Sequence, residues 1–203
     1  MQATKKLTWG AGVVVLIIMI YSLVFKNTPD YIGSILEHRA EVDTFMGSSG
    51  DSPLPDTLKS DFQGLNYFEI KEEFKVKAHL DEIPDRQTLT LGTSDGATQE
   101  YVKYAYAKFD LSDTSLQLLV LKSEDDQGES YFFIPFSDLT SGEQSYGGGR
   151  YLEIPFSNDK QLEIDFNLAF SPYCAYSAKF SCPLPPAENH LQVAITAGER
   201  NFR

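Results

Sequence analysis

Positive charge is scarce in this chain. Seventeen Lys and Arg stand against 29 Asp and Glu in 203 residues, a formal charge of −12 with a pI near 4.6. No broad surface can then displace counterions from a phosphate backbone, which argues against non-specific nucleic-acid binding. Cysteine is scarcer still. Cys174 and Cys182 stand eight apart with no C-x-x-C and no second pair, and adding His190 at equal spacing does not match the usual zinc arrangements. The three His are placed by no known nucleophile–base motif. Neither G-x-G-x-x-G nor G-x-x-x-x-G-K occurs, so no nucleotide loop is indicated. No metal and no cofactor is expected from these residues.

What the chain does have is aromatic and turn-forming. It is 42% hydrophobic and 13% aromatic, with 14 Gly and 10 Pro, a balance that favours strands over helices. A mean hydropathy of −0.26 excludes a polytopic membrane protein, and the length fits one domain with its own core.

The long hydrophobic run is confined to the N-terminus. Residues 7–25 carry no charge, and a helix of that length rises about 28 Å, close to the hydrocarbon thickness of a bilayer. Lys5 and Lys6 precede it and no acid occurs before Asp30, so residues 1–6 are expected in the cytoplasm and residues 26–203 outside, as an extracytoplasmic (periplasmic or extracellular) domain. A cleaved signal peptide would want small residues where this run ends Tyr21-Ser22-Leu23-Val24-Phe25. With no Cys nearby, a lipid anchor is disfavoured. Trp9 lies near the cytoplasmic end of this segment, where aromatic rings favour the interface. Beyond Lys26 there are 14 basic and 29 acidic residues, about −15, a surface repelled by anionic headgroups.

In the exposed part, Thr28-Pro29-Asp30 reads as a helix start. Apolar residues recur at helical spacing from Ile32 to Met46, with Gly47 as the expected stop. Arg39 falls on the apolar face, either snorkelling or reaching a buried carboxylate. After a turn-rich link over 47–64 the period changes to 2. Residues 74–80 alternate without exception, which puts His79 on the wet face. Further strands are expected at 65–70, 87–92, 99–110, 114–122, 130–136, 150–156, 160–167 and 191–197. Short strands without intervening helices indicate a mainly β, antiparallel barrel or sandwich, with one N-terminal amphipathic helix behind a single transmembrane helix. Residues 168–190 hold four Pro and both Cys and are expected to be irregular and either functional or pinned.

Several motifs are familiar. Phe136-Ser137-Asp138-Leu139-Thr140-Ser141-Gly142, Tyr146-Gly147-Gly148-Gly149-Arg150-Tyr151, Asp165-Phe166-Asn167-Leu168-Ala169, Pro172-Tyr173-Cys174-Ala175-Tyr176, Cys182 to Asn189 and Ala197-Gly198-Glu199 resemble the family catalogued as domain of unknown function 1684. Ser52-Pro53-Leu54 and Gly64-Leu65-Asn66-Tyr67-Phe68 resemble its N-terminal motifs. The resemblance covers about residues 35–200. It lends neither an activity nor a cofactor. The family commonly shows Tyr-Asn where this chain has Phe170-Ser171, and Arg where it has His190.

Among the motifs, Tyr146-Gly147-Gly148-Gly149-Arg150 carries the sharpest chemistry. Consecutive glycines let backbone N–H groups converge, and a following Arg adds a forked cation suited to a carboxylate or phosphate. The competing reading is a glycine turn whose Arg150 pairs with an internal acid. Strand alternation puts Asp165 and Asn167 on one face with Glu163, so Asp165 is a candidate base, or the partner of Arg150. Cys174 and Cys182 read as a disulfide in an exported domain, with two separate thiols as the alternative. The expectation is therefore a membrane-anchored domain binding a small anionic or polar ligand beside the Gly-Arg loop. The runner-up is a hydrolase using Asp165 or Cys174 there, and the third reading is a structural or assembly protein of the envelope. No protein partner is named by the sequence.

Overall fold

The computed structural model describes residues 31–124 and 127–202. The expected tail, anchor and helix-start residues 28–30 lie outside the described residues. None of the described helices is long and apolar enough to cross a membrane. The chain divides into two compact units, one ending at Glu37 and one from His38 onward. Helix α1 (Tyr31–Ser48) begins in the first, and the rest of the fold belongs to the second.

Helix α1 runs through Gly47 rather than stopping there. A Cβ at Gly47 would lie 3.1 Å from the Phe62 ring, so the glycine serves close packing. The helix ends instead where serines take over its last carbonyls. Ser48 Oγ donates to Thr44 O at 2.6 Å and Ser52 Oγ to Met46 O at 2.6 Å. A second helix, α2 (Asp56–Lys59), is a single turn.

Seven antiparallel strands form one sheet: β1 (Lys75–Glu82), β2 (Thr88–Gly92), β3 (Thr98–Leu111), β4 (Thr114–Glu124), β5 (Ser130–Phe136), β6 (Arg150–Pro155) and β7 (Gln161–Asp165). The order is β6-β5-β4-β3-β1-β7, with β2 also pairing β3. The 14-residue β3 accommodates both neighbours on one edge, β2 along residues 98–102 and β1 along 105–108. The expected closed barrel or two-sheet sandwich is corrected to an open half-barrel. β6 and β7 are its two ends and do not pair with each other.

Local sequence explains the elements. In β1, Val76, Ala78 and Leu80 are buried while Lys75, Lys77 and His79 are exposed, as the alternation requires. Between β3 and β4, Ser112 and Asp113 both take positive φ, 49° and 62°, the two-residue turn whose twist matches a hairpin. Four consecutive residues of β4, Leu118 to Leu121, are fully buried, so both faces of the sheet are covered. The concave face packs Leu118, Val120, Phe132, Ile134 and Phe136 against Phe166 and Ile195. The convex face packs Leu119, Leu121, Phe133 and Tyr151 under residues 170–182.

Two expected strands are absent. Residues 65–70 and 191–197 contribute only isolated contacts, Tyr67 opposite Glu199 among them. Their backbone groups are satisfied partly by single main-chain bonds, such as Phe68 N to Gly198 O at 2.9 Å and Leu191 N to Ser137 O at 2.8 Å, and partly by side chains. Asp43 accepts from Leu65 N at 2.8 Å, Arg39 Nη1 donates to Phe68 O at 3.1 Å, and Asp138 accepts from Ile195 N at 3.1 Å. Arg39 is buried, with its guanidinium 4.4 Å from the centre of the Tyr67 ring.

The irregular character of 168–190 is as expected, and the segment is pinned. In register, Leu119 would face Pro135, which has no N–H to give. Asn189 fills the gap. Its Oδ1 accepts from Leu119 N at 2.6 Å, and its Nδ2 donates to Leu119 O and Pro135 O at 3.0 and 2.8 Å.

Candidate functional site

The expected Gly-Arg site is a closed lock. Arg150, at the start of β6, points with Leu152 into the concave core and is fully buried. Its Nη2 donates to Asp138 Oδ2 at 2.9 Å and Ile195 O at 2.8 Å, and its Nη1 to Glu199 O at 3.1 Å and to Ala197 O. Asp138 is equally enclosed and also accepts from Thr140 N at 2.8 Å. Burial pulls the guanidinium below its ordinary value, opposed by the Asp138 charge. The partner of Arg150 is therefore Asp138, twelve residues upstream, and not Asp165.

The glycines serve the same packing. Gly149 has φ +87°, and a Cβ there would sit 2.5 Å from Phe136 O and 2.6 Å from Pro185 Cγ. Its N–H closes a turn onto Tyr146 O at 3.0 Å. Gly147 lies against Gly142, and a Cβ on Gly148 would meet the Tyr146 ring at 2.5 Å. Tyr146 itself is half-buried, its hydroxyl 3.6 Å from Cys174 Sγ.

Asp165 and Asn167 stand together, but not beside Arg150's guanidinium. β7 ends at Asp165, whose Oδ1 caps the next turn by accepting from Asn167 N at 2.9 Å and Nδ2 at 3.0 Å. Asn167 in turn clasps the Lys71 backbone, accepting from its N at 3.0 Å and donating to its O at 2.8 Å. Both side chains are buried. The structure holds Cys174 and Cys182 as free thiols rather than a bridge. They are neighbours nonetheless, with Cys174 N donating to Cys182 Sγ at 3.2 Å. Among the described residues no three His, Cys, Asp or Glu gather to hold a metal ion.

Beside the lock lies a carboxylate to which the sequence assigned no role, that of the Ala197-Gly198-Glu199 motif. Glu199 is 1% exposed. It accepts from Ser171 N at 3.0 Å and from the Tyr176 hydroxyl. Burial pushes it up to about 7 against those hydrogen bonds.

The other end of the sheet is open. A groove of about 700 Å³ lies where β1 and β4 end, β3 begins and the chain leaves β6. Tyr104 and Phe156 line it, edge-on at 5.6 Å, and the fully buried Phe132 packs beneath them, 4.8 Å from Tyr104 and 5.1 Å from Phe156. A bulge in the β3–β4 pairing between Lys103 and Ala105 lets Tyr104 and Ala105 both enter the concave core. Two cations cover these rings. Arg86 stands 4.1 Å over Tyr104, donating to Tyr104 O at 2.6 Å and Glu82 at 2.9 Å. Lys122 stands 4.8 Å over Phe156, and among the described residues no carboxylate lies within ion-pair distance of it. Glu100, Glu124, Ser123 and Asn158 complete the rim. Sequence patterning missed this site because its residues come from four strand ends and a bulge. Asp138 and Glu199, by contrast, lay inside motifs already singled out.

Nothing among curated proteins matches the chain. Among solved structures it is similar to the uncharacterised protein from gene locus rrnAC0354 of Haloarcula marismortui, determined by solution NMR. The two are 40% identical with a TM-score of 0.66, over 86% of this chain and 96% of that one. The family model described as protein of unknown function, DUF1684, matches residues 60–200, and the chain belongs to that family.

Proposed function

We propose that the domain is a binding module for a small ligand carrying an anionic group on an apolar body, held in the groove at the open end of the half-barrel. The observation that carries this is the two lining rings, Tyr104 and Phe156, each under a cation, Arg86 and Lys122. The volume of about 700 Å³ is that of a small-molecule cleft, and barrel mouths are a common place for one. The apolar body rests on Phe156 and Val102, and the anion meets Lys122 and Arg86. The Gly-Arg loop is left out because the Nη donors of Arg150 are committed to protein acceptors. Residues 7–25 tether the module to a membrane, with the domain on the outer side. This part rests on the sequence alone, and alkaline extraction of membranes with protease protection checks it.

Anilinonaphthalene sulfonate, a flat apolar anion, tests the site on the full chain. One equivalent is expected to bind, and Lys122→Glu to weaken it at least about tenfold, or ~1.4 kcal/mol, with an unchanged melting temperature. Equal binding by wild type and Lys122→Glu refutes the reading. A structural role is the second reading. It is favoured by the filled interior, in which Phe132, Phe136, Phe166 and Ile195 are fully buried.

A further inference from the structure

The convex face carries a pair of sulfurs that neither the groove nor the lock uses. Cys182 is buried and fixed at its backbone: its O accepts from Ser94 N at 2.8 Å, and its N donates to Ser94 Oγ at 3.1 Å. Cys174 sits in a single helical turn, Tyr173–Ala175, and is half-buried. The seven residues between them fold back so that Cys174 N reaches Cys182 Sγ at 3.2 Å. Phe133, Tyr151, Phe170 and Phe180 surround the pair, and Tyr146 presents its hydroxyl to the Cys174 sulfur at 3.6 Å.

We propose that Cys174 and Cys182 form a thiol–disulfide exchange site, with Cys174 the attacking sulfur and Cys182 the resolving one, acting on disulfides of low-molecular-weight thiols. The assignment of roles follows from access: Cys174 is half-buried where Cys182 is buried, and the more exposed sulfur is the one an external disulfide can reach. Burial pushes the Cys182 thiol up to about 12. Cys182 is thus a poor first nucleophile, but it lies next to the sulfur it would attack.

The steps balance. Cys174 gives up its proton and attacks one sulfur of R–S–S–R, forming a Cys174–S–S–R bond while RS⁻ leaves and is protonated. Cys182 then loses its proton and attacks the Cys174 sulfur, forming the Cys174–Cys182 bond and releasing a second RSH. Two protein thiols are oxidised and one external disulfide is reduced. The product joins the two ends of the strap that covers Tyr151 and Phe133. The proposal is independent of the groove.

The full chain is incubated with oxidised glutathione, quenched in acid and weighed intact. Wild type is expected to lose two hydrogens and carry no adduct. Cys182→Ala is expected to hold one glutathione on Cys174, and Cys174→Ala to react at Cys182 at least about tenfold more slowly, as burial requires. Cys182→Ser replaces Cys182→Ala if the latter lacks the wild-type circular dichroism. Wild type that keeps both thiols, or that keeps a glutathione, overturns the proposal. So does Cys174→Ala reacting as fast as Cys182→Ala.

Discussion

Replacing Arg150 with Ala should cost the domain a large part of its stability. The substitution leaves Asp138 charged at 2% exposure and removes the donors from three carbonyls, Ile195, Ala197 and Glu199. Removing one partner of a buried pair costs about 3–5 kcal/mol, against a total of about 5–15 for a domain. The expected fall in melting temperature is roughly 6–20 °C, at ~2–4 °C per kcal/mol for a chain of this size. Urea unfolding of the full chain followed by far-UV circular dichroism gives the free energy. Arg150→Lys keeps the charge but offers three donors from one point where the structure has four acceptors around a plane. It should fall between wild type and Ala. In a double-mutant cycle, Arg150→Met with Asp138→Leu should cost less than the two single changes added, because the uncompensated charge is gone. An Ala variant within about 1 kcal/mol of wild type would refute the lock, as would a Lys variant equal to wild type.

Three further outcomes follow from the same geometry. Asn189→Ala strands the N–H and O of Leu119 and the O of Pro135, and urea unfolding should show a loss of at least about 3 kcal/mol, at ~1–3 for each buried unsatisfied group. Gly149→Ala imposes a φ of +87° on a residue with a Cβ and drives that atom into Phe136 O. The strain alone is worth about 1–3 kcal/mol, read as a lowered melting temperature. Glu199 titrates near 7 when folded, above its ordinary 4.5, so the folded state holds a proton that the unfolded state releases. Stability is then fully present below about 4.5 and falls by up to about 3 kcal/mol as pH rises to about 7. Glu199→Gln should flatten that slope and raise stability at pH 8, and an unchanged slope would assign the titration elsewhere.

Periodicity read the sheet well where a strand had a strand beside it. The alternation in 74–80 and the expected strands 87–92, 99–110, 114–122 and 130–136 became β1 to β5, shifted by up to two residues at their ends, because each carries a buried face and a hairpin or crossover to a partner. The same alternation failed at 191–197. Leu191, Ile195 and Ala197 are buried as a strand would bury them, but the backbone of Ile195 and Ala197 answers to the Arg150 and Asp138 side chains. Hydrophobic spacing records which side chains go inside and not which group satisfies the main chain. The same blindness hid the partner of Arg150. Asp165 shares a face with Asn167 in a regular strand, but the strand stops there and the carboxylate turns to cap the next turn. The groove was illegible for a different reason. Tyr104 enters it through a bulge, and Arg86 and Phe156 lie outside strands, so no single segment carries its pattern.

The two ends of the half-barrel treat charge in opposite ways, and the difference bears on which end can exchange partners. At the closed end, Arg150 and Asp138 are wholly out of solvent, and every Nη hydrogen bond made there would have to be broken before a ligand could compete. At the open end, Arg86 and Glu82 form a half-exposed pair, 39% and 46% accessible, of a kind worth about 0–1 kcal/mol. The cation–aromatic contacts of Arg86 and Lys122 contribute ~0.5–1 kcal/mol each when solvated. They need not be lost, because an anion can approach from the side away from the ring. An incoming carboxylate or sulfonate therefore displaces at most one weak pair while gaining two cations held in place by the rings beneath them. Side chains already ordered in this way lose little further freedom on binding. On the proposed reading, the Tyr104 and Phe156 rings thus lower the cost of binding by holding the two cations in place.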